Sequence, residues 1–300
     1  GTKTEQAKHY VTHLGGSSAN IAVALTKFGG NCHLLTCISD DALGRFAINQ
    51  LNEYGVKTSL IWKLKGNIRI SLAVVETTVK DHQSIIFRNG AADLFLNKEH
   101  INQVNFSKFS CIIVTGTSLA LEPSRSATFE AFKLAKNNKL PIILDIDYRP
   151  YSWSSNKEAA NTYLKAAKEC DIIIGNDEEF GVMAGKYEAG FDLAKQLSLS
   201  SPIVIYKKGE KGSVTFVENK TINIGVFKVK TLKPTGAGDA FLGGFIGSIL
   251  NNNSISKSLE FASAAAAIVV GKVGCAPAMP HEEELTDFLK NNNIIKYEEV

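Results

Sequence analysis

Three segments decide the fold: "CIIVTG" (residues 111–116), "PIILDI" (141–146) and "CDIIIGN" (170–176). Each is a near-continuous apolar run closed by a turn residue, as expected of interior strands in a parallel sheet covered on both faces. Helical patterns over Ser124–Asn137 and Lys157–Lys168 separate them. Toward the C-terminus, strands are predicted at Ile203–Lys207 and Ser213–Val217, with helices at Glu178–Ala184, Gly190–Leu199 and Glu282–Leu289. Toward the N-terminus the order is helix Ser18–Lys27, strand Cys32–Ile38, helix Asp41–Tyr54. Such alternation predicts an open, doubly wound α/β fold with a mainly parallel sheet.

The stretch 56–95 breaks that rhythm. It carries short strands, Ile70–Glu76 and Ile85–Arg88, with turn residues and no helical period. It reads as a small β-sheet lid, joined by a strand at "KHYVTH" (8–13). The predicted organisation is therefore an α/β nucleotide- and substrate-binding domain over 14–55 and 96–300, with a β lid over 1–13 and 56–95. The Asn triplets at 251–253 and 291–293 are expected at helix ends and loops.

Composition limits the function classes. The chain has 300 residues, 44% hydrophobic and 21% charged, with a net charge of +3. That is ordinary globular composition and excludes collagen, coiled coil and disordered tail. The charge is too balanced to suggest nucleic acid or an anionic membrane as partner. Cys32, Cys37, Cys111, Cys170 and Cys275 are odd in number and form no C-x-x-C pair, so reduced cysteines in a cytoplasmic protein are expected. The most apolar stretch, Phe261 to Gly271, is too short to span a bilayer. His9 and His13 lie on the strand reading of 8–13, where four residues span about 13 Å, too far for one metal. P-loop, H-E-x-x-H and G-x-S-x-G patterns are missing from the sequence.

Chemistry concentrates in "KPTGAGDAFLGGFIGSIL" (233–250). Gly236, Ala237 and Gly238 stand before an apolar helix expected to start near Asp239. Small residues there let backbone N–H groups converge on an anion at the positive end of the helix dipole. Asp239 is then either an N-cap or a general base aimed at a substrate hydroxyl. In "IGNDEEF", Asp177, Glu178 and Glu179 open a helix, where acids also suit the dipole.

"TGAGDAF" resembles the C-terminal signature of the ribokinase-like, phosphofructokinase B family of carbohydrate kinases. "GGSSANIAVALTKFGG" (15–30) is similar to the family's first signature, through Gly15, Gly16, Ala19 and Asn20. Asn176 and Glu179 match its Asn-x-x-Glu motif, and "YKKGEKGS" (206–213) its nucleotide-contacting turn. "FASAAAAIVVGKVGCAPAMP" (261–280) resembles its adenine-side helix and loop. "LDIDYRPYSW" (144–153) and "GKVGCAPAMP" look like the 5-dehydro-2-deoxygluconokinase branch, which belongs to inositol catabolism. Two features depart from the wider family. Lys233 and Pro234 precede Thr235 where Asp-Thr is usual, and Lys233 is a second candidate for phosphate contact. The family also opens, as a rule, on a strand whose Asp binds sugar hydroxyls. The 14 residues ahead of Gly15 do not hold it, so the resemblance predicts a longer natural chain or one strand fewer.

The resemblance implies ATP-dependent phosphorylation of a primary hydroxyl of a sugar acid, 5-dehydro-2-deoxygluconate. A 2-keto-3-deoxygluconate kinase, a fructokinase or a non-catalytic sugar-binding protein are the alternatives. Asp239 would be the base, with Gly236, Ala237 and Gly238 as the anion cradle. Gly15, Gly16, Asn20, Arg88 and Arg149 would bind substrate, the two guanidiniums suiting a carboxylate; Arg69 is a weaker third. Asn176, Lys207, Gly209, Gly212 and Thr235 would bind ATP. Glu179 would hold Mg²⁺ through phosphate or water, K⁺ is an expected activator, and a homodimer is the expected assembly.

Overall fold

The computed structural model describes residues 2–76 and 83–295. Two compact units divide the chain, one from residues 1–92 and 225–300, the other from 93–224. The lid span 56–95 lies mostly in the first unit, and its residues 77–82 lie outside the described residues, as do 1 and 296–300 of the other predicted spans.

The first unit opens with α1 (Ser17–Lys27), which buries every side chain from Ala19 to Leu25. Strand β1 (Thr36–Ser39) leads to α2 (Ala42–Glu53). Asp41 caps α2 by accepting from the Leu43 and Gly44 N–H groups at 3.0 and 2.9 Å, satisfying donors that the first turn leaves over. β2 (Ile61–Leu64) pairs in parallel with β1, and β3 (Leu72–Val75) pairs antiparallel with β4 (Ser84–Phe87). The β3–β4 hairpin leaves Leu72, Ile85 and Phe87 exposed. No strand forms at 8–13, contrary to the sequence expectation. Its backbone has no ladder partner among the described residues, and Tyr10 and Val11 face solvent, so the segment lacks both things that hold a strand.

The second unit carries the sheet. In chain order it runs α3 (Lys98–Asn102), β5 (Ile112–Thr115), α4 (Ser124–Asn137), β6 (Ile142–Asp145), α5 (Asn156–Ala167) and β7 (Ile172–Asn176). It continues through α6 (Asp177–Ala184), α7 (Gly190–Leu197), β8 (Ile203–Lys207), β9 (Ser213–Val217) and β10 (Lys220–Ile224). The strands lie in the order β10-β9-β8-β7-β6-β5. β5 to β8 are parallel and β9 and β10 antiparallel, so the predicted mainly parallel α/β sheet is present. Residues 142–145 are all buried, and so are 213–217, which accounts for their mostly apolar or small character, Asp145 being the charged exception.

The chain then returns to the first unit through β11 (Val226–Phe227), α8 (Ala237–Leu250), α9 (Ile255–Val270), α10 (Glu282–Asn291) and β12 (Ile294–Ile295). β11 pairs antiparallel with β12. α8 packs between α1 and α9, and its glycines set the spacing. A Cβ built on Gly243 would lie 2.3 Å from Ala24 Cβ, which no real contact permits, so only glycine lets α1 approach this closely. Both Asn triplets fall at helix ends, after α8 and at the end of α10.

Candidate active site

In the first unit the chemistry gathers at the start of α8. Gly236 is the N-cap, with φ +91° and ψ −6°. A Cβ there would stand 3.2 Å from Cys275 Sγ and 3.3 Å from Val269 Cγ1, and the positive φ is costly for any L side chain. The helix begins at Ala237, so Ala237, Gly238 and Asp239 form its first turn rather than preceding it. Ala240 makes the first i to i−4 bond, to the Gly236 carbonyl at 3.0 Å. The N–H groups ahead of it lie outside the α-helical ladder, where the dipole is positive, and of these the Ala237 N–H makes only a long turn bond to the Pro234 carbonyl, at 3.4 Å. Small side chains leave those donors approachable by a phosphoryl-type anion.

Asp239 is half-buried, and its Oδ2 accepts from Asn20 Nδ2 at 2.7 Å. Asn20 is 3% exposed on α1. Sequence reasoning assigned Asn20 to substrate; the structure gives its amide NH2 to Asp239. Its other end, Oδ1, is buried without a protein hydrogen-bond partner, which a donor hydroxyl would satisfy. Gly15 and Gly16 are exposed, and a Cβ on either meets nothing within 4 Å. Gly16, at φ +94°, is the N-cap of α1, the helix that carries Asn20. Lys233 is buried and its Nζ donates to the Thr235 carbonyl. Arg88 sits half-buried just beyond β4.

In the second unit, charge collects at the carboxyl ends of β6, β7 and β8. Asn176 and Lys207 are register partners on β7 and β8, and Lys207 Nζ lies 3.8 Å from Asp145 Oδ1. Asn176 and Glu179 form a reciprocal cap on α6. Asn176 Oδ1 accepts from the Glu179 N–H at 2.8 Å, and Glu179 Oε2 accepts from the Asn176 N–H at 2.7 Å. Glu179 Oε1 also accepts from the Tyr148 N–H at 3.2 Å. Burial pushes the Glu179 carboxyl above its ordinary range, opposed by Lys207 and the Asn176 N–H.

Arg149 already has a carboxylate. Its Nη2 lies 2.5 Å from Asp147 Oδ1, and its Nη1 donates to the Tyr148 carbonyl at 2.9 Å. Asp147 is 4% exposed at φ +41°, a left-handed position that Asn and Asp tolerate best among residues with side chains. The Tyr163 hydroxyl is buried, and burial, then Asp147 and Glu179, pushes its pKa up. Sequence reasoning missed Tyr163, since nothing in a helical "NTYLKAA" distinguishes it from an ordinary core tyrosine. Gly209 and Gly212 take φ +58° and +82° in the β8–β9 turn, where the Lys208 N–H bonds the Gly212 carbonyl at 2.7 Å.

Among the described residues no group of three His, Cys, Asp or Glu side chains is set to hold a metal ion, and no helix is long and apolar enough to cross a membrane. The donor set therefore fits a magnesium ion only in the manner usual for it, bound through substrate phosphates and water with one carboxylate nearby.

Comparison with known proteins agrees with this chemistry. The family model for pfkB family carbohydrate kinase matches residues 1–282. The chain is 36% identical over 283 residues to the 5-dehydro-2-deoxygluconokinase of Photobacterium profundum, covering 92% of this chain and 86% of that protein. It is 37% identical over 291 residues to the enzyme of the same name from Clostridium perfringens, covering 95% and 86%. Among solved structures it is similar to a double-mutant fructokinase from Vibrio cholerae O395 with fructose, ADP and potassium ion bound. That likeness has a TM-score of 0.84 at 27% identity and covers 94% of this chain and 92% of the other. A match over nearly the whole length, which takes in the helix-capping glycine turn and its aspartate, has one meaning: the chain belongs to the pfkB family of carbohydrate kinases.

Proposed function

We propose that the chain transfers the terminal phosphoryl group of ATP to the primary hydroxyl of 5-dehydro-2-deoxygluconate. One observation carries the chemical half of this reading. Asp239 stands in the first turn of α8, held by Asn20, beside backbone donors that no ladder bond uses. Asp239 takes the hydroxyl proton as the oxygen attacks phosphorus. The N–H groups of Gly236, Ala237 and Gly238 meet the charge that grows on the phosphoryl oxygens. The Asn20 Oδ1 accepts from a sugar hydroxyl and, with Gly15 and Gly16, seats the sugar. Most of the acceleration is positioning and electrostatics, as phosphoryl transfer generally requires.

The choice of sugar rests on the 36% and 37% identical relatives of that name. Arg88 is the guanidinium read as meeting the substrate carboxylate, whereas Arg149 reaches one only by sharing its charge with Asp147. Asn176, Lys207, Gly209, Gly212 and Thr235 are read as nucleotide contacts. Glu179 is read as holding magnesium through water or phosphate; the ion, when bound, neutralises phosphate charge. Potassium, named with the Vibrio cholerae fructokinase, is read as an activator, tested by exchanging it for tetramethylammonium. Residues 1–13 and 56–95 are read as the lid, and the exposed face of Leu72, Ile85 and Phe87 as a homodimer contact. The odd number of cysteines, with no C-x-x-C pair, fits a reducing cytoplasm.

The test is ADP formation with Mg-ATP and 5-dehydro-2-deoxygluconate, followed by phosphorus NMR of the product. The reading expects sugar-dependent ADP and a phosphate ester on the primary carbon. Sugar binding without ADP would assign the chain to the non-catalytic alternative.

A further inference from the structure

Lys233 is the feature that the reaction above leaves unused. It is 2% exposed and ranks among the largest fully buried side chains. Burying an ammonium costs several kcal/mol unless partners compensate. Its side chain has a definite task in the structure, since Nζ donates to the Thr235 carbonyl. Its own backbone is fixed as well, because its N–H and that of Leu232 both bond the Val270 carbonyl at the end of α9, at 3.2 and 2.8 Å. The charged and titratable groups that act on it are Asp239 on α8 and the Cys275 thiol beyond α9, and the latter flanks Gly236. α1 contributes the neutral Asn20 amide to the same carboxylate.

The Thr235 carbonyl belongs to the same peptide unit as the Gly236 N–H. In a planar trans peptide those two groups point in opposite directions. An ammonium that holds the carbonyl on one side therefore aims the N–H to the other, the first donor of the cradle. The same ammonium places a positive charge behind a turn built to meet an anion.

We propose that Lys233 is a positioning residue for phosphoryl transfer, a tethered cation that orients the Thr235–Gly236 peptide and strengthens the anion cradle at the start of α8. The inference rests on the kinase reading of that cradle. It gives a reason for a lysine to stand where an apolar side chain of equal length would bury more cheaply. Its partner is a backbone carbonyl, so it acts through the turn and not on the sugar.

The test uses the full chain with Lys233→Met and Lys233→Ala. Lys233→Met is expected to lose about 10²-fold in kcat, the scale of one oxyanion donor, with the sugar KM little changed and Tm at or above wild type. Lys233→Ala is expected to regain turnover when ammonium or methylammonium is added, while Lys233→Met, whose side chain fills the space, is not. Wild-type kcat in Lys233→Met would overturn the proposal. So would a loss that follows a fall in Tm and resists rescue by amines, because that is a structural role. Should the wild-type chain form no ADP with any sugar, the kinase reading fails separately. Lys233 is then read from the affinity for MgADP with aluminium fluoride, which the proposal expects to weaken in Lys233→Met and which an uninvolved lysine would leave unchanged.

Discussion

The unit of residues 1–92 and 225–300 and the unit of 93–224 handle charge differently. In the first, the positive potential comes from a helix start and from a lysine bonded to a carbonyl, and the key carboxylate is oriented by a neutral amide. In the second, buried carboxylates are compensated by cations and backbone donors: Lys207 beside Asp145, Arg149 on Asp147, and two N–H groups on Glu179. A carboxylate oriented by a neutral amide keeps capacity to take a proton, whereas one bonded on both oxygens, as Glu179 is, mainly fixes its own loop. The first arrangement suits a reacting group and the second a scaffold for a charged ligand.

Substitutions can break that contrast. Asp239→Asn should cost about 10²–10⁴-fold in kcat, the share of a general base, with Tm little changed; near-wild-type turnover would remove Asp239 from the chemistry. Gly236→Ala should follow, at about 10²-fold in kcat if the cradle is displaced, with roughly 1–2 kcal/mol of strain from its positive φ. Thermal unfolding and steady-state kinetics on one preparation read both effects. In the second unit, Asn176→Ala should cost about 1 kcal/mol as a lost cap and alter the KM for ATP more than kcat. A large loss of kcat with normal ATP binding would place chemistry there and erase the contrast.

The smallest effect concerns pH. The Gly44 N–H above all, with the Ser39 hydroxyl, the Leu43 N–H and the Arg69 guanidinium, holds the Asp41 carboxyl below its ordinary range, against burial, which outweighs each of the last three singly. A depressed folded pKa gives stability that is present above the unfolded value, about 3.9, and is lost as pH falls through the folded one. Asp41→Ala should therefore lower stability by about 1 kcal/mol at pH 7, with the difference from wild type shrinking below pH 4 in urea titrations. Glu179 has the opposite sign. Its folded pKa is raised, so its contribution falls as pH rises from about 4.3 through the folded value.

The sheet was legible because β5 to β8 read as continuous apolar runs, and α8 because its glycines and Asp239 make a helix start that chemistry can use. β2, "IWKL", went unseen since it is only half-buried and carries a lysine. β10 went unseen because it is a largely exposed edge strand, and the turn before it uses Glu218 and Asn219 at φ 49° and 60°, without the glycine that usually marks such a hairpin. Residues 8–13 misled in the other direction: alternation alone suggested a strand, and the segment has no ladder partner among the described residues. The Asn-x-x-Glu spacing fitted a ligand motif, and the structure adds that it is also a reciprocal cap. The burial of Lys233 was invisible: the sequence offered it as a candidate for phosphate contact, and nothing in a Lys-Pro pair marks an ammonium bonded to its own turn.

The central claim is that a helix-start cradle and its aspartate phosphorylate a sugar acid. It is tested most directly by kcat/KM with Mg-ATP for 5-dehydro-2-deoxygluconate, 2-keto-3-deoxygluconate, fructose and ribose in parallel. The account predicts sugar-dependent ADP formation with the first clearly preferred. Preference for fructose or ribose would contradict the assignment of the sugar acid, and no turnover with any of the four would contradict the assignment of the reaction.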